Sequence, residues 1–134
     1  MQLNISTDYA IRIVLYLAIK GDAANSTEIS AQMGIPQTVI ATLASPLQKA
    51  GILATQRGAG GGFSLCRKPE NISLHEIVNL MEGTTRINRC LEPDGYCSRN
   101  GAPNCPVHQF YTRIQAYLDT AFQNKTIASL MEDA

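Results

Sequence analysis

The stretch of sequence that decides the fold is residues 26–66, STEISAQMGIPQTVIATLASPLQKAGILATQRGAGGGFSLC. Residues 27–33 and 36–50 carry apolar side chains at helical spacing, and Gly34 separates them, which is typical of a helix-turn-helix. Residues 52–56 and 63–66 have strand composition, and a glycine-rich turn joins them as a hairpin. The stretch therefore predicts a winged helix-turn-helix in a mainly α chain with a small β-hairpin wing.

The same stretch predicts a nucleic-acid-binding surface. Gln37, Thr38 and Thr42 are polar residues near the start of the second helix, where such helices meet base edges. No Asp or Glu occurs from residue 29 to residue 69, while four cations fall there: Lys49, Arg57, Arg67 and Lys68. We expect Lys49, Arg67 and Lys68 to contact phosphates and Arg57, at the tip of the hairpin, to contact phosphate or the minor groove. The tip lacks the Gly-Lys-Ser/Thr of a phosphate-binding loop, so nucleotide binding is not predicted.

Apolar periodicity predicts further helices on both sides of this stretch. The first covers residues 7–20 and is apolar nearly all round, so we expect it to be buried on both sides. A capping box of Ser73 and Glu76 begins another helix, and a long helix follows from 106 to about 122, with a short amphipathic turn at 126–131. Within the helix-turn-helix, we expect a kink or an early helix end at Pro46.

A second informative segment runs from Cys90 to His108, CLEPDGYCSRNGAPNCPVH. It holds three thiols and an imidazole at gaps of six, seven and two residues, in a composition unsuited to helix or sheet. Cys105 is the predicted N-cap of the long helix, and His108 lies three residues later on the same helix face. These residue types, packed so closely, predict a metal-binding or redox-active loop.

Composition limits the classes of protein. The chain has 134 residues and a formal net charge of zero, which argues against a wholesale electrostatic binder. It has no basic leader and no apolar run of the ~20 residues that a bilayer span needs, so we expect a cytoplasmic protein with reduced thiols and no membrane partner. No nucleophile–base pair or carboxylate dyad occurs outside the loop, so an enzyme is not predicted. We divide the chain into a winged domain (1–83), a cysteine-rich loop (84–105) and a dimerisation helix with a C-terminal turn (106–134).

The whole chain resembles the Rrf-type family of small winged-helix regulators, which includes a nitric-oxide-sensitive repressor and an iron–sulfur cluster regulator. The resemblance depends on the three-cysteine loop and on four short motifs that span nearly the full length: TDYAIR at 7–12, RGAGGGF at 57–63, IVNLMEG at 77–83 and TIASL at 126–130. It implies a homodimer that crosses its long helices and binds a palindromic DNA operator as a repressor. It also implies one iron–sulfur cluster per subunit, with nitric oxide, redox state or iron–sulfur status as the signal.

Carried over residue by residue, the resemblance implies that Cys90, Cys97 and Cys105 are cluster ligands. The fourth ligand stays open. His108 matches the branch with a two-iron (2Fe-2S) cluster, whereas Asp8 matches a carboxylate that the partner subunit supplies to a four-iron (4Fe-4S) cluster. On the DNA side the family positions are Thr38, Val39 and Thr42 in the major groove, and Arg57 with Gly58 in the wing.

Three alternatives stay open at this point. Three cysteines and one histidine also form a closed tetrahedral zinc site. The loop could be a metal-free thiol switch on a DNA-binding protein. The chain could also be an iron–sulfur redox protein without DNA binding, although that reading leaves the acid-free winged segment unexplained.

Overall fold

The structure, a computed structural model, describes residues 1–134. It contains six α-helices and one antiparallel pair of strands. In chain order they are α1 (Ile5–Lys20), α2 (Ser26–Met33), α3 (Gln37–Lys49), β1 (Leu53–Gln56), β2 (Gly62–Leu65), α4 (Leu74–Glu82), α5 (Pro106–Asn124) and α6 (Ile127–Glu132). This is the predicted mainly helical chain with a hairpin wing. None of the helices is long and apolar enough to cross a membrane.

The core is one apolar cluster built around α1. Ile13 and Val14 are fully buried, and the other helices of the winged unit supply further buried side chains such as Ile40 and Ile77. Ile127 is also fully buried in this cluster, so α6 completes the core of a unit that begins about 120 residues earlier. Burial of α1 on both sides is not observed within one chain, because Ile19, on the side opposite the core, is 54% exposed.

Local signals explain most helix ends. The Asn25 side chain accepts a hydrogen bond from Glu28 N–H at the start of α2, and Gly34 ends that helix in the left-handed conformation. The expected early end of α3 at Pro46 was wrong, since the helix continues to Lys49. Leu47 is fully buried, which holds the last turn against the core although Pro46 donates no hydrogen bond.

The wing is tied to the rest of the domain by a third piece of extended backbone. Within the hairpin, Leu53 pairs with Leu65 and Gln56 with Gly62. Ala24, in the connection between α1 and α2, exchanges two backbone hydrogen bonds with Phe63, at 3.0 Å and 2.8 Å. The wing therefore has a fixed base, and only its tip extends beyond it.

The long helix α5 is fixed at its C-terminal end. Leu74 N–H donates to Lys125 O at 2.7 Å, and Ile127 N–H donates to Ile72 O at 2.9 Å, which docks the start of α6 beside α4. Along α5 itself the large apolar side chains are turned away from the chain: Val107, Phe110, Ile114 and Tyr117 are between 38% and 77% exposed. Within a single chain, the apolar stripe that the sequence indicates is uncovered.

Candidate functional site

The second helix of the helix-turn-helix presents a polar face. Thr38 and Thr42 are exposed on α3, and Lys49 is exposed at its C-terminal end. Gln37 is also exposed, but its Nε2 donates to Thr27 Oγ1 at 2.9 Å and so links α3 to α2. Val39 is half-buried and packs against the core, as its place in the apolar stripe indicates.

Three cations of the acid-free segment have no carboxylate partner within the chain. Six of the eleven Lys and Arg side chains form ion pairs with carboxylates of the same chain. Lys49, Arg57 and Lys68 are not among them, and all three are exposed within the segment that lacks acids. Arg57 stands at the wing tip beside Gly58, a residue with φ of 93°. Cations without an internal partner are available for phosphate groups.

Arg67 differs from its neighbours, because its guanidinium is engaged inside the domain. It binds the Glu76 carboxylate through two hydrogen bonds, at 2.6 Å and 3.0 Å, and donates to Gly51 O at 3.3 Å near the end of α3. These bonds to Glu76 raise the pKa of Arg67. The predicted capping box is therefore half formed: Ser73 accepts from Glu76 N–H, while the Glu76 carboxylate turns to Arg67. Arg67 joins the base of the wing to α4 and does not belong to the free cations.

We expect Arg67→Met to lower the free energy of unfolding by about 2 kcal/mol, because it leaves a partly buried carboxylate and three backbone carbonyls, of Ala50, Gly51 and Asn71, without their donor. Urea unfolding followed by circular dichroism measures the change. Lys68→Met is the matched control, since Lys68 is exposed and forms no ion pair, and we expect it to cost less than about 0.5 kcal/mol. Equal unfolding midpoints for the two variants would show that Arg67 does not stabilise the fold.

The structure brings the four predicted loop ligands to one pocket. Cys90, Cys97, Cys105 and His108 line a cavity of about 270 Å³. Cys90 lies on a 3₁₀ turn at Arg89–Leu91, Cys105 is the N-cap of α5, and His108 lies in the first turn of that helix. His108 Nδ1 is 3.3 Å from Cys90 Sγ, which joins the two ends of the loop. All three thiols are free and half-buried.

Backbone amides of the turn that follows Cys97 act on its thiol. The N–H groups of Gly101 and then of Arg99 donate to Cys97 Sγ, and these hydrogen bonds lower the pKa of the thiol. The turn that aims them is closed by Asn100 N–H donating to Cys97 O at 2.9 Å, with Asn100 in the left-handed region at φ 54°. Thiolate is the form that binds metals, and N–H donors directed at sulfur are a feature of iron–sulfur sites.

The loop has more structure of its own than its composition indicates. Arg89 forms two hydrogen bonds of 2.6 Å with the Asp94 carboxylate, and its guanidinium lies 5.2 Å from the centre of the Tyr96 ring. Hydrogen bonds from Arg89 lower the pKa of Asp94 to about 2. The opposite charges of Arg89 and Asp94, five residues apart, were the signal for this clamp, and sequence reasoning missed it.

The donor set fits a metal group, although the side chains do not yet converge. Three thiols and one imidazole are the ligands of iron–sulfur clusters and of Cys₃His zinc sites. No group of three or more His, Cys, Asp or Glu side chains is gathered closely enough to hold an ion. The chemistry therefore agrees with the prediction, while the geometry is that of an open pocket.

Asp8, the alternative fourth ligand, lies elsewhere on the chain. It occupies the first turn of α1 and forms an ion pair with Arg12 at 2.6 Å. It does not line the cysteine pocket of its own chain. A ligand role for Asp8 thus requires a second subunit, as the resemblance implies.

Sequence reasoning also missed a polar cluster behind the pocket. Gln115 on α5 is 3% exposed and bonds to the backbone of Thr85 and Ile87, at the entrance of the cysteine loop. Asp119, one turn further along α5, forms an ion pair with Arg86. The available signal was a glutamine two helical turns after His108, on the same face of the helix.

Comparison with known proteins agrees with this architecture. Residues 3–133 match the Rrf2 family, described as an iron-dependent transcriptional regulator. The HTH-type transcriptional regulator IscR of Aliivibrio salmonicida is 26% identical over 135 residues, which cover 99% of this chain and 79% of the relative.

Solved structures show the same fold. CymR (YrzC), the global cysteine regulator of B. subtilis, has a TM-score of 0.82 at 21% identity, with 100% of this chain and 98% of that chain covered. IscR of T. potens has a TM-score of 0.75 at 18% identity, with 99% and 88% covered. These likenesses support the winged-helix fold alone. Because the family match covers nearly every residue, the chain belongs to the Rrf2 family of transcriptional regulators.

Proposed function

We propose that this Rrf2-family regulator is a homodimeric repressor whose affinity for a palindromic DNA operator depends on an iron–sulfur cluster. The observation that carries the proposal is that Cys90, Cys97, Cys105 and His108 line one pocket at the start of α5. Three thiols beside one imidazole, with amide donors on Cys97, form a donor set suited to iron and sulfide. Such a protein would act in the cytoplasm, where thiols stay reduced.

The DNA-binding part of the proposal places α3 in the major groove and the wing tip on the adjacent minor groove. Thr38, Thr42 and Gln37 would face base edges, with Val39 contributing its exposed methyl groups. Lys49 would neutralise a phosphate, and Arg57 with Gly58 would enter the minor groove. The uncovered apolar stripe of α5 supports a second copy as partner, because four large apolar side chains in a row are costly to leave in water.

The proposed mechanism is a linkage between the cysteine loop and the DNA-binding unit. A bound cluster would tie the two ends of the loop together and would be the group that nitric oxide, oxygen or iron shortage attacks. Cys105 and His108 belong to α5, whereas Cys90 follows the segment that leaves α4. Holding these three side chains together fixes α5 relative to α4, and so sets the distance between the two recognition helices of a dimer. A coupling of about 1–3 kcal/mol is enough to switch operator occupancy.

The test is to purify the protein without oxygen and to measure iron, acid-labile sulfide and visible absorption. We expect iron and sulfide in equal amounts and a brown colour, with the spectrum distinguishing two-iron from four-iron types. The same protein then selects duplexes from a randomised DNA pool, and binding is compared before and after removal of the cluster. Equal affinities in both forms would contradict the sensing mechanism, and failure to select any duplex would contradict DNA binding.

A specific prediction concerns Arg57. We expect Arg57→Ala to weaken binding to a selected duplex by about 1–3 kcal/mol. We also expect the slope of log affinity against log salt concentration to fall by about one. Arg57→Lys separates the two expected contacts. A lysine restores a phosphate contact, whereas it replaces a minor-groove arginine poorly because the planar guanidinium is more weakly hydrated. Full affinity of Arg57→Ala, measured by fluorescence anisotropy at several salt concentrations, would exclude the wing tip from the interface.

A thiol switch without metal is the second candidate, and one observation favours it. Cys97 has a lowered pKa, which makes its thiolate available to oxidants as well as to metals. This candidate predicts colourless protein whose DNA affinity changes with peroxide and returns with a thiol reductant. A structural zinc site predicts colourless protein with one zinc per chain and no such response. An iron–sulfur redox protein without DNA binding predicts cluster but no selected duplex.

A further inference from the structure

The buried amide of Gln115 forms three hydrogen bonds. Its Oε1 accepts from Ile87 N–H at 2.8 Å, and its Nε2 donates to Thr85 O at 3.0 Å and to Asp119 Oδ1 at 2.9 Å. At 3% exposure it is the one buried polar side chain of α5. Both amide protons and one oxygen lone pair are thereby used, which is close to the full capacity of a glutamine.

Asp119 and Arg86 fix the orientation of this amide. Arg86 binds the Asp119 carboxylate at 3.0 Å, and the carboxylate in turn accepts from Gln115 Nε2. The nitrogen of the amide therefore faces two acceptors, and its oxygen faces the N–H donor of Ile87. A carboxylate at position 115 could accept from Ile87 but would face Asp119 and Thr85 O with no proton to give. The site is thus selective for an uncharged amide.

These hydrogen bonds complete a closed loop of contacts, or ring, that runs from Ile87 along the chain to Cys90, across to His108, along α5 to Gln115, and back to Ile87. Ile87 lies three residues before Cys90, and His108 lies two helical turns before Gln115 on the same face of α5. Across the ring, His108 Nδ1 lies 3.3 Å from Cys90 Sγ. One side of the ring is helix α5, and the other is the short segment 87–90, which ends in the 3₁₀ turn of Cys90. The position of Cys90 along α5 therefore depends on where Ile87 is held.

We propose that Gln115 is a positioning residue for the cysteine pocket. Its amide holds residues 85–87 against α5 and thereby places Cys90 opposite Cys105 and His108. The inference deepens the proposed function, since it rests on these side chains binding a metal group. Gln115 does not touch that group and acts through the backbone that leads to Cys90.

The test uses Gln115→Leu, Gln115→Glu and the control Gln123→Leu, which replaces an exposed glutamine of the same helix. The probe is Co²⁺ alone, titrated without oxygen and followed by its thiolate absorption, together with amide hydrogen exchange in the metal-free proteins. We expect exchange at Ile87 to accelerate about tenfold in Gln115→Leu, which removes the acceptor, and by less in Gln115→Glu, which keeps it. We expect Co²⁺ affinity to fall about ten- to a hundredfold, with the Gln123 variant unchanged in both measurements.

The outcomes separate this inference from the proposed function. Wild-type Co²⁺ affinity in the two Gln115 variants would overturn the positioning role, even if their thermal stability falls. Gln115→Glu guards against simple loss of folding, because it keeps the shape of the side chain and the acceptor for Ile87. Co²⁺ binding by the wild type without cluster assembly would overturn the iron–sulfur proposal and leave the positioning role standing. Absence of Co²⁺ binding by the wild type would overturn the positioning role, while the iron and sulfide content of the protein decides the iron–sulfur proposal separately.

Discussion

Gly62→Ala is expected to lower the free energy of unfolding by about 3 kcal/mol and to detach the base of the wing. A Cβ built on Gly62 lies 2.3 Å from Ala24 O and 2.7 Å from the Cα of Asn25, which are backbone atoms that cannot rotate away. The backbone at Gly62 also has φ of 136°, a conformation that disfavours any side chain. Relief of the clash therefore requires separation of Phe63 from Ala24 and loss of the two hydrogen bonds between them.

Gly60→Ala is the matched control for this variant. Gly60 also has a positive φ, of 78°, but a Cβ there meets nothing within 4 Å. We expect it to cost about 1–2 kcal/mol, from backbone conformation alone. Urea unfolding gives both values, and amide exchange at Ala24 and Phe63 shows whether the bridge opens. Equal losses in the two variants, with both amides still protected, would show that the close approach of the wing to residue 24 is not a constraint on the fold.

Much of this fold follows from local sequence signals. Helix boundaries were predictable because capping depends only on neighbouring residues. Asn25 and Ser73 cap the starts of α2 and α4, and a glycine ends each of α1, α2 and α4. The clash at Gly62 was not predictable in the same way. Five residues with little or no side chain, 58–62, indicate a flexible tip, and only the structure shows which of them touches another segment.

In the cysteine pocket, too, some features follow from local sequence and others appear only in the folded structure. The residue types and the N-cap position of Cys105 indicated the candidate ligands from sequence. The clamp between Arg89 and Asp94, and the amide network of Gln115, depend on segments that meet only after folding. Arg67 illustrates the limit most directly. Sequence assigns it to the basic surface with Lys68, whereas the structure pairs it with Glu76, a residue that lies beyond the acid-free segment.

Replacing any one pocket cysteine by serine is expected to abolish the assembly of the proposed cluster. Cys90, Cys97 and Cys105 each supply one of three thiols, and a hydroxyl is a much poorer ligand for iron than a thiolate. Cys66→Ser is the control, because Cys66 is exposed at the end of β2 and lies outside the pocket. We expect the control to keep wild-type iron and sulfide after anaerobic purification. Equal loss of iron and sulfide from all four variants would indicate that the cysteines affect folding, and not cluster binding.

The fourth ligand can be identified with the same measurement. If His108 completes the set, His108→Ala changes the visible spectrum and Asp8→Asn does not. If Asp8 of the partner subunit completes it, the order is reversed. Breaking the ion pair of Asp8 with Arg12 is a small complication, since both side chains are more than 40% exposed and such pairs contribute about 0.2–1 kcal/mol.

Operator affinity then decides whether the pocket is a sensor. A coupling of about 1–3 kcal/mol corresponds to a change of about 5- to 150-fold in affinity between cluster-bound and cluster-free protein. The cysteine variants cannot hold the cluster, so each should bind a selected duplex with the affinity of cluster-free wild type, whichever form of the wild type binds more tightly. If a variant with serine at all three pocket cysteines binds the duplex as tightly as the cluster-bound wild type, the protein is a DNA-binding winged helix whose pocket has no influence on the operator. The two ends of the loop, Cys90 after α4 and Cys105 on α5, are the parts through which that influence must pass.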